Sequence, residues 1–157
     1  LEAFRGRLEL PSEVMRACRE RLETPTPRVA LGMALRGIAS AAADVSDGLL
    51  GDLGHILRQS GVGARIELAR TDGLLPAFHA WTPPEHWLRT CTLAGGDDYE
   101  LVFTAAPGNA KAVRAAGAAC GVPVTCIGQI DAALGLRVVD AQGAPASVQA
   151  HSFDHFG

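Results

Sequence analysis

Asp44, Ser46 and Asp47 stand in the stretch AAADVSDGLLGDLGHIL, residues 41 to 57, where an apolar run gives way to a helix-patterned one. The start of a helix offers unpaired backbone N–H groups that suit a phosphate. Two carboxylates at the same point would repel it. A second group of acids, Asp97, Asp98 and Glu100, follows Gly95 and Gly96 in LAGGDDYELVF, residues 93 to 103, again at the edge of an apolar strand. The paired glycines permit unusual dihedrals and let the backbone approach a ligand closely.

Each group has a plain structural reading. Ser46 or Asp47 can serve as the N-cap of the following helix, and the second group can be a solvated acidic turn. Taken together they allow another. Hard oxygen ligands from two strand edges suit Mg²⁺, which keeps several waters and is typically held by one or two carboxylates together with substrate phosphates. A magnesium ion between carboxylate and phosphate removes the apparent conflict, leaving the helix N-terminus and the Ser46 hydroxyl to donate to phosphate oxygens.

Elements able to position these residues can be read from periodicity and breakers. Val14, Cys18 and Leu22 recur every fourth residue behind Ser12, a candidate cap, and Pro25 and Pro27 stop that helix. RVALGMALRG, from residue 28, is a second short helical candidate, and IASAAADV, from residue 38, a small-residue strand. Apolar positions 49, 50, 53, 56 and 57 predict a helix from about Gly48 to Ser60, ended by Gly61. GARIELA alternates Ala64, Ile66 and Leu68 against polar partners, as a half-buried strand does.

Residues 69–83 read as loop, PPEHWLRTCTLAG as a helix entered through prolines, YELVFTA as a strand and GNAKAVRAAGAACG as an Ala-rich helix ended by Gly121. VPVTCIGQI is then a strand, and GLRVVDAQGAPASVQA two strands around a turn at Asp140 to Gly143. The order of elements is mixed and predicts an α/β or α+β domain with one sheet covered by helices.

Composition limits the partners. The chain has 157 residues, 48% hydrophobic and 20% charged, with 14 basic against 17 acidic side chains and a single lysine, Lys111. No clustered positive charge is available for nucleic acid or an anionic membrane. Its beginning carries no apolar signal core, and no apolar run is long enough to span a bilayer, so the expected location is cytoplasmic. Cys18, Cys91, Cys120 and Cys126 lack zinc-site spacing and read as reduced, buried thiols.

Neither G-x-x-x-x-G-K-[ST] nor G-x-S-x-G occurs, which closes the P-loop and nucleophile-elbow routes. His55 reads as a partly exposed or hydrogen-bonded helix residue. Trp81 and Trp87 read as packing.

Five segments in order, DVSDGLLGDLGHI, GVGARIEL, LAGGDDYELVFT, IGQI and the terminal FDHF, closely resemble the C-terminal half of the bacterial thiamine-monophosphate kinase family, in the superfamily of aminoimidazole ribonucleotide synthetase and selenophosphate synthetase. The resemblance runs over roughly residues 22–156 and implies transfer of the ATP γ-phosphoryl group to thiamine monophosphate, giving thiamine diphosphate, with magnesium. It assigns magnesium to Asp44 and Asp47, ATP to Ser46, and substrate contact to Tyr99, Asp98 and Phe153. No residue is expected to act as a base, because the acceptor is already an anionic phosphate oxygen and catalysis reduces to alignment and charge neutralisation.

The same resemblance implies an α/β (α+β) sandwich, a mixed β-sheet covered by helices, as in the C-terminal domain of aminoimidazole ribonucleotide synthetase-like proteins, and divides the chain into a leading helix and linker, 1–28, and a C-terminal domain, 29–157. It further implies an N-terminal ATP- and Mg-binding domain absent from this sequence, a homodimer for the full-length enzyme, and weak or no activity for this portion alone. The family's GGEDY is GGDDY here, one methylene shorter at Asp97. Competing readings are a related aminoimidazole ribonucleotide or selenophosphate synthetase, a binding domain without turnover, and, remotely, a diguanylate cyclase. The cyclases carry a similar G-G-D/E-E-F turn, but their Phe-Lys and Asn-Asp pairs are missing here.

Overall fold

A computed structural model describes residues 3, 5–96 and 99–146 of the chain. The first helix, α1, spans Ser12–Glu23. Ser12 is its first helical residue rather than its cap. Pro11, at φ −53° and ψ 146°, is the N-cap, and its carbonyl accepts the first intrahelical bond, from Met15 N–H at 2.9 Å. Proline already has the dihedral that feeds a helix, so no side-chain cap is needed to set the start.

After the Pro25–Pro27 break come α2 (Val29–Ala34), β1 (Ala39–Asp44), α3 (Leu49–Ser60) and β2 (Gly63–Glu67). β2 stops at Glu67, so Leu68, expected to continue its alternation, instead opens a short 3₁₀ turn, Leu68–Arg70; a second, Pro76–His79, lies within the stretch expected as loop, before α4 (Glu85–Leu93). Then follow β3 (Leu101–Ala105), α5 (Ala110–Ala119), β4 (Gly128–Asp131) and β5 (Gly135–Val139). α3 ends as its sequence predicts, with Gly61 in the left-handed conformation at φ 65°.

The described strands form two sheets where the sequence suggested one. β1 pairs antiparallel with β3, while β2 lies between β4, antiparallel, and β5, parallel. A parallel pair needs a long crossover. Here α4, β3 and α5 all lie between β2 and β5 in the chain.

Side-chain alternation along β3 gives the β1–β3 ribbon two covered faces. Val102 joins Val45, Leu49, Leu53, Ile56, Leu57, Ala64, Ile66 and Leu93 in the main core under α3. Leu101 and Phe103 pack instead with Leu31 of α2, Leu35 just after it, and Ala116 of α5. In β1 the register slips between Ala39 and Ala41, which is why Ala39 joins the α2–α5 side while Ala41 and Ala43 join the α3 side.

The buried α3 positions Leu49, Leu53, Ile56 and Leu57 form one stripe, each side chain contributing roughly 2 kcal/mol of burial. That stripe fixes the helix over the ribbon, and so fixes where its N-terminus opens.

Candidate active site

β1 ends at Asp44, whose pairing partner is Leu101, the first residue of β3. Pairing continues one step further, with Val45 N–H donating to the Glu100 carbonyl at 2.9 Å. Val45 turns into the core at 5% exposure, while Asp44 and Ser46 on either side of it are exposed and Asp47 is half-buried. Strand alternation thus sends the apolar residue inward and its polar neighbours out.

The side-chain cap expected at Ser46 or Asp47 does not form. The N-cap of α3 is Gly48, at φ 102° and ψ 148°, with no side-chain cap bond; its carbonyl accepts from Asp52 N–H at 3.0 Å. Asp52, only 6% exposed, replaces the expected arrangement with another. Its Oδ2 accepts hydrogen bonds from the backbone N–H of Ser46 at 2.9 Å and of Asp47 at 3.1 Å. Helical side chains lean toward the N-terminus, so an aspartate in the first turn can reach back over the residues that precede it. The amides are consequently held from behind by Asp52, and the turn does not draw on the Ser46 or Asp47 side chain as its cap.

The second corner lies against the first. A Cβ on Gly48 would come within 2.8 Å of Ala94 Cα, and one on Gly96 would overlap the Ser46 carbonyl oxygen. Backbone therefore meets backbone where residues 94–96 cross residues 46–48, and glycine is required on both sides. Tyr99 follows at φ 55°, a left-handed conformation unusual for a bulky residue, with 45% of its surface exposed. Asp44, Ser46, Asp47 and Tyr99 are thereby brought to one end of the β1–β3 ribbon. Asp97, Asp98 and Phe153, read from sequence as part of the same site or its turn, lie outside the described residues.

Glu100 is occupied elsewhere. Its carboxylate accepts from Arg28 Nε at 2.8 Å and Arg28 Nη2 at 2.7 Å, and from Arg21 Nη2 at 2.8 Å. The hydrogen bond to Glu100 raises the Arg28 pKa above its ordinary value. The acid grouped by sequence with Asp97 and Asp98 thus ties α1 and the linker to the start of β3. Arg21 near the end of α1 and Arg28 just past the Pro25–Pro27 break are the two cations that converge on it, a pairing that no local spacing in the sequence announces.

Because Glu100 is 40% and Arg21 42% exposed, solvent screens the pair. Glu100→Gln is expected to lower unfolding free energy by about 1 kcal/mol. Melting curves should show the difference shrinking at about 1 M salt, where the screening length is about 3 Å; a salt-independent loss would point to packing instead.

The remaining sequence candidates are peripheral. His55 is exposed, with Nδ1 2.8 Å from Arg58 Nη2. Trp81 meets Phe78 edge-on at 5.9 Å, and Trp87 lies 5.3 Å from the His86 ring. Of the cysteines expected to be buried, Cys126 is exposed, while Cys18, Cys91 and Cys120 are half-buried.

Among the described residues no three His, Cys, Asp or Glu side chains converge into a metal cage. Asp44 and Asp47, two hard carboxylates flanking a hydroxyl at the mouth of a helix N-terminus, match the donor set of a magnesium ion that draws its other ligands from water and phosphate. Among the described residues no helix is long and apolar enough to cross a membrane.

A β1–β3 ribbon covered by α2, α3 and α5, with a mixed β4–β2–β5 sheet beside it, is matched over residues 12–141 by the family described as AIR synthase related protein, C-terminal domain, and the chain belongs to that family. Thiamine-monophosphate kinase of Escherichia coli (strain K12) is similar to it, 44% identical over 135 residues that make up 84% of this chain and 40% of that protein. The crystal structure of thiamine-monophosphate kinase from Stenotrophomonas maltophilia K279a superposes with a TM-score of 0.77 at 39% identity, covering 92% of this chain and 46% of that one. AaThiL complexed with AMPPCP and TMP shares the fold, with a TM-score of 0.70 at 23% identity over 99% of this chain and 46% of its own. The chain therefore spans less than half the length of these relatives.

Proposed function

We propose that this chain forms the C-terminal part of an ATP-dependent thiamine-monophosphate kinase, which transfers the γ-phosphoryl group of ATP to the phosphate of thiamine monophosphate to give thiamine diphosphate. The observation that carries this reading is the meeting of the two corners: the Asp44–Asp47 turn and the strand start behind Tyr99 share one ribbon end through the Val45–Glu100 bond. The similarity to the Escherichia coli kinase over 135 residues supports the choice of substrate.

In this reading Asp44 and Asp47 hold Mg²⁺, and Ser46 with the N-terminus of α3 donates to ATP phosphate oxygens. Tyr99, Asp98 and Phe153 line the thiamine monophosphate site. Bound magnesium supplies neutralisation of the polyphosphate charge. The chain's own residues supply alignment. No base is assigned, since the attacking oxygen carries no proton that must be removed. The rest of the ATP and metal site belongs to an N-terminal domain, and the complete enzyme acts as a cytoplasmic homodimer.

A chimera in which this chain replaces the matched segment of the Escherichia coli kinase tests the reading. Thiamine diphosphate should form from thiamine monophosphate, ATP and Mg²⁺, and formation should cease on chelation. A folded chimera that binds both substrates without product would leave a binding domain; one that binds neither would end the proposal.

A further inference from the structure

Asp52 holds the acidic turn from behind. It sits in the first turn of α3, 6% exposed, directly behind the turn that carries Ser46 and Asp47. A buried carboxylate is costly unless hydrogen-bonded, and Oδ2 takes two bonds at once, from Ser46 N–H at 2.9 Å and Asp47 N–H at 3.1 Å. Gly48, at φ 102°, then swings the chain into the helix. The consequence is directional: with both amides turned inward onto Asp52, the conformation from Ser46 to Gly48 is set before any ligand arrives.

We infer that Asp52 is the positioning residue of the acidic corner: its buried oxygen fixes the Ser46 and Asp47 backbone, and through it the direction in which the Asp47 carboxylate and Ser46 hydroxyl are presented to metal and phosphate. The metal-facing half of this inference rests on the proposed kinase site; the backbone half does not. Asp52 itself touches neither substrate nor metal. It contributes by removing alternative turn conformations that would otherwise have to be excluded on binding, which is the general basis of preorganisation.

The test uses the ¹⁵N-labelled chain with Asp52→Asn, which keeps the shape and one acceptor oxygen but loses the charge, and Asp52→Ala, which removes both acceptors. Without metal, amide exchange at Ser46 and Asp47 should be about tenfold faster in Asp52→Ala and faster by a smaller factor in Asp52→Asn. Ile56 and Leu57 should exchange as in the parent, marking an intact helix. Unchanged exchange at Ser46 and Asp47 in a folded variant overturns the inference. If Asp52→Ala does not fold, the Asn variant decides by the same criterion.

In a second arm Mn²⁺ serves as a paramagnetic probe. Parent protein should broaden around Asp44 and Asp47, and Asp52→Asn should need several-fold more Mn²⁺ for equal broadening. Equal titrations in parent and variant overturn the positioning role. Absence of broadening in the parent itself instead overturns the metal site of the proposed function, and the exchange arm then still decides whether Asp52 sets the turn.

Discussion

In the chimeric kinase, Asp47→Asn is expected to slow thiamine diphosphate formation at saturating substrates by about a hundredfold or more, equivalent to roughly 2.7 kcal/mol of transition-state stabilisation. The midpoint of thermal unfolding should move by no more than about 2 °C, the shift that about 1 kcal/mol produces in a domain of roughly 150–250 residues. The separation of the two effects follows from the geometry of the turn. Were Asp47 the cap of α3, its loss would weaken the helix and the catalyst together. The cap is Gly48, and the preceding amides are held by Asp52, so the fold has little call on Asp47 for that purpose. Turnover and melting measured on one preparation distinguish the cases. A loss of stability that accounts for the loss of rate would return Asp47 to a structural part.

Gly48→Ala is expected to act on the fold itself. At φ 102° and ψ 148° the residue occupies a region essentially reserved for glycine, which alone adds about 1–3 kcal/mol for any other side chain. The new methyl would also lie 2.8 Å from Ala94 Cα, against backbone that cannot rotate away, adding a further 1–3 kcal/mol of overpacking on the order seen in tight cores. A combined loss of about 2–6 kcal/mol is a large part of a typical 5–15 kcal/mol total. Chemical denaturation should register it as a lower midpoint with an unchanged slope. A variant as stable as the parent would mean that the two turns can separate without consequence, and with that the shared ribbon end would lose its support.

Much of this was legible because it is local. The stripe Leu49, Leu53, Ile56, Leu57 announces α3, Gly61 ends it, and Ala64 with Ile66 announces β2, each in the period its burial requires. The adjacency of the two acidic corners could be suspected from apolar strands leading into both. The illegible parts depend on partners distant or reversed in the chain. Ser46 and Asp47 look like caps by position, yet the bond runs the other way, from their amides to Asp52. Glu100 looks like one more acid until Arg28, 72 residues earlier, claims it.

VPVTCIGQI reads as one strand, but Val122 and Val124 are drawn against α5, and a Cβ on Gly117 would lie 2.6 Å from Val124 Cγ2. Only Gly128–Asp131 is left to pair as β4. After Asp140 the expected second strand reduces, within the described residues, to a single bridge between Val139 and Pro145; proline has no N–H with which to extend a ladder. Nothing in the alternation of any strand tells which strand is its neighbour, and so the partition into two sheets had to come from the fold.

That partition has a topological corollary. β1 joins β3 and β2 joins β5, so in chain order the two partnerships interleave: the second opens inside the first and closes outside it. Neither sheet can be cut out as a contiguous piece. The ribbon that carries the acidic turn and the sheet beside it must assemble and melt as one cooperative body, and the final closure, β5 onto β2 across some seventy residues from Gly63 to Gly135, waits until nearly the whole described chain is in hand. Such distant pairing favours slow, late folding, and it makes the integrity of the acidic ribbon end depend on a strand that arrives last, whose Leu136 packs against the core under α3.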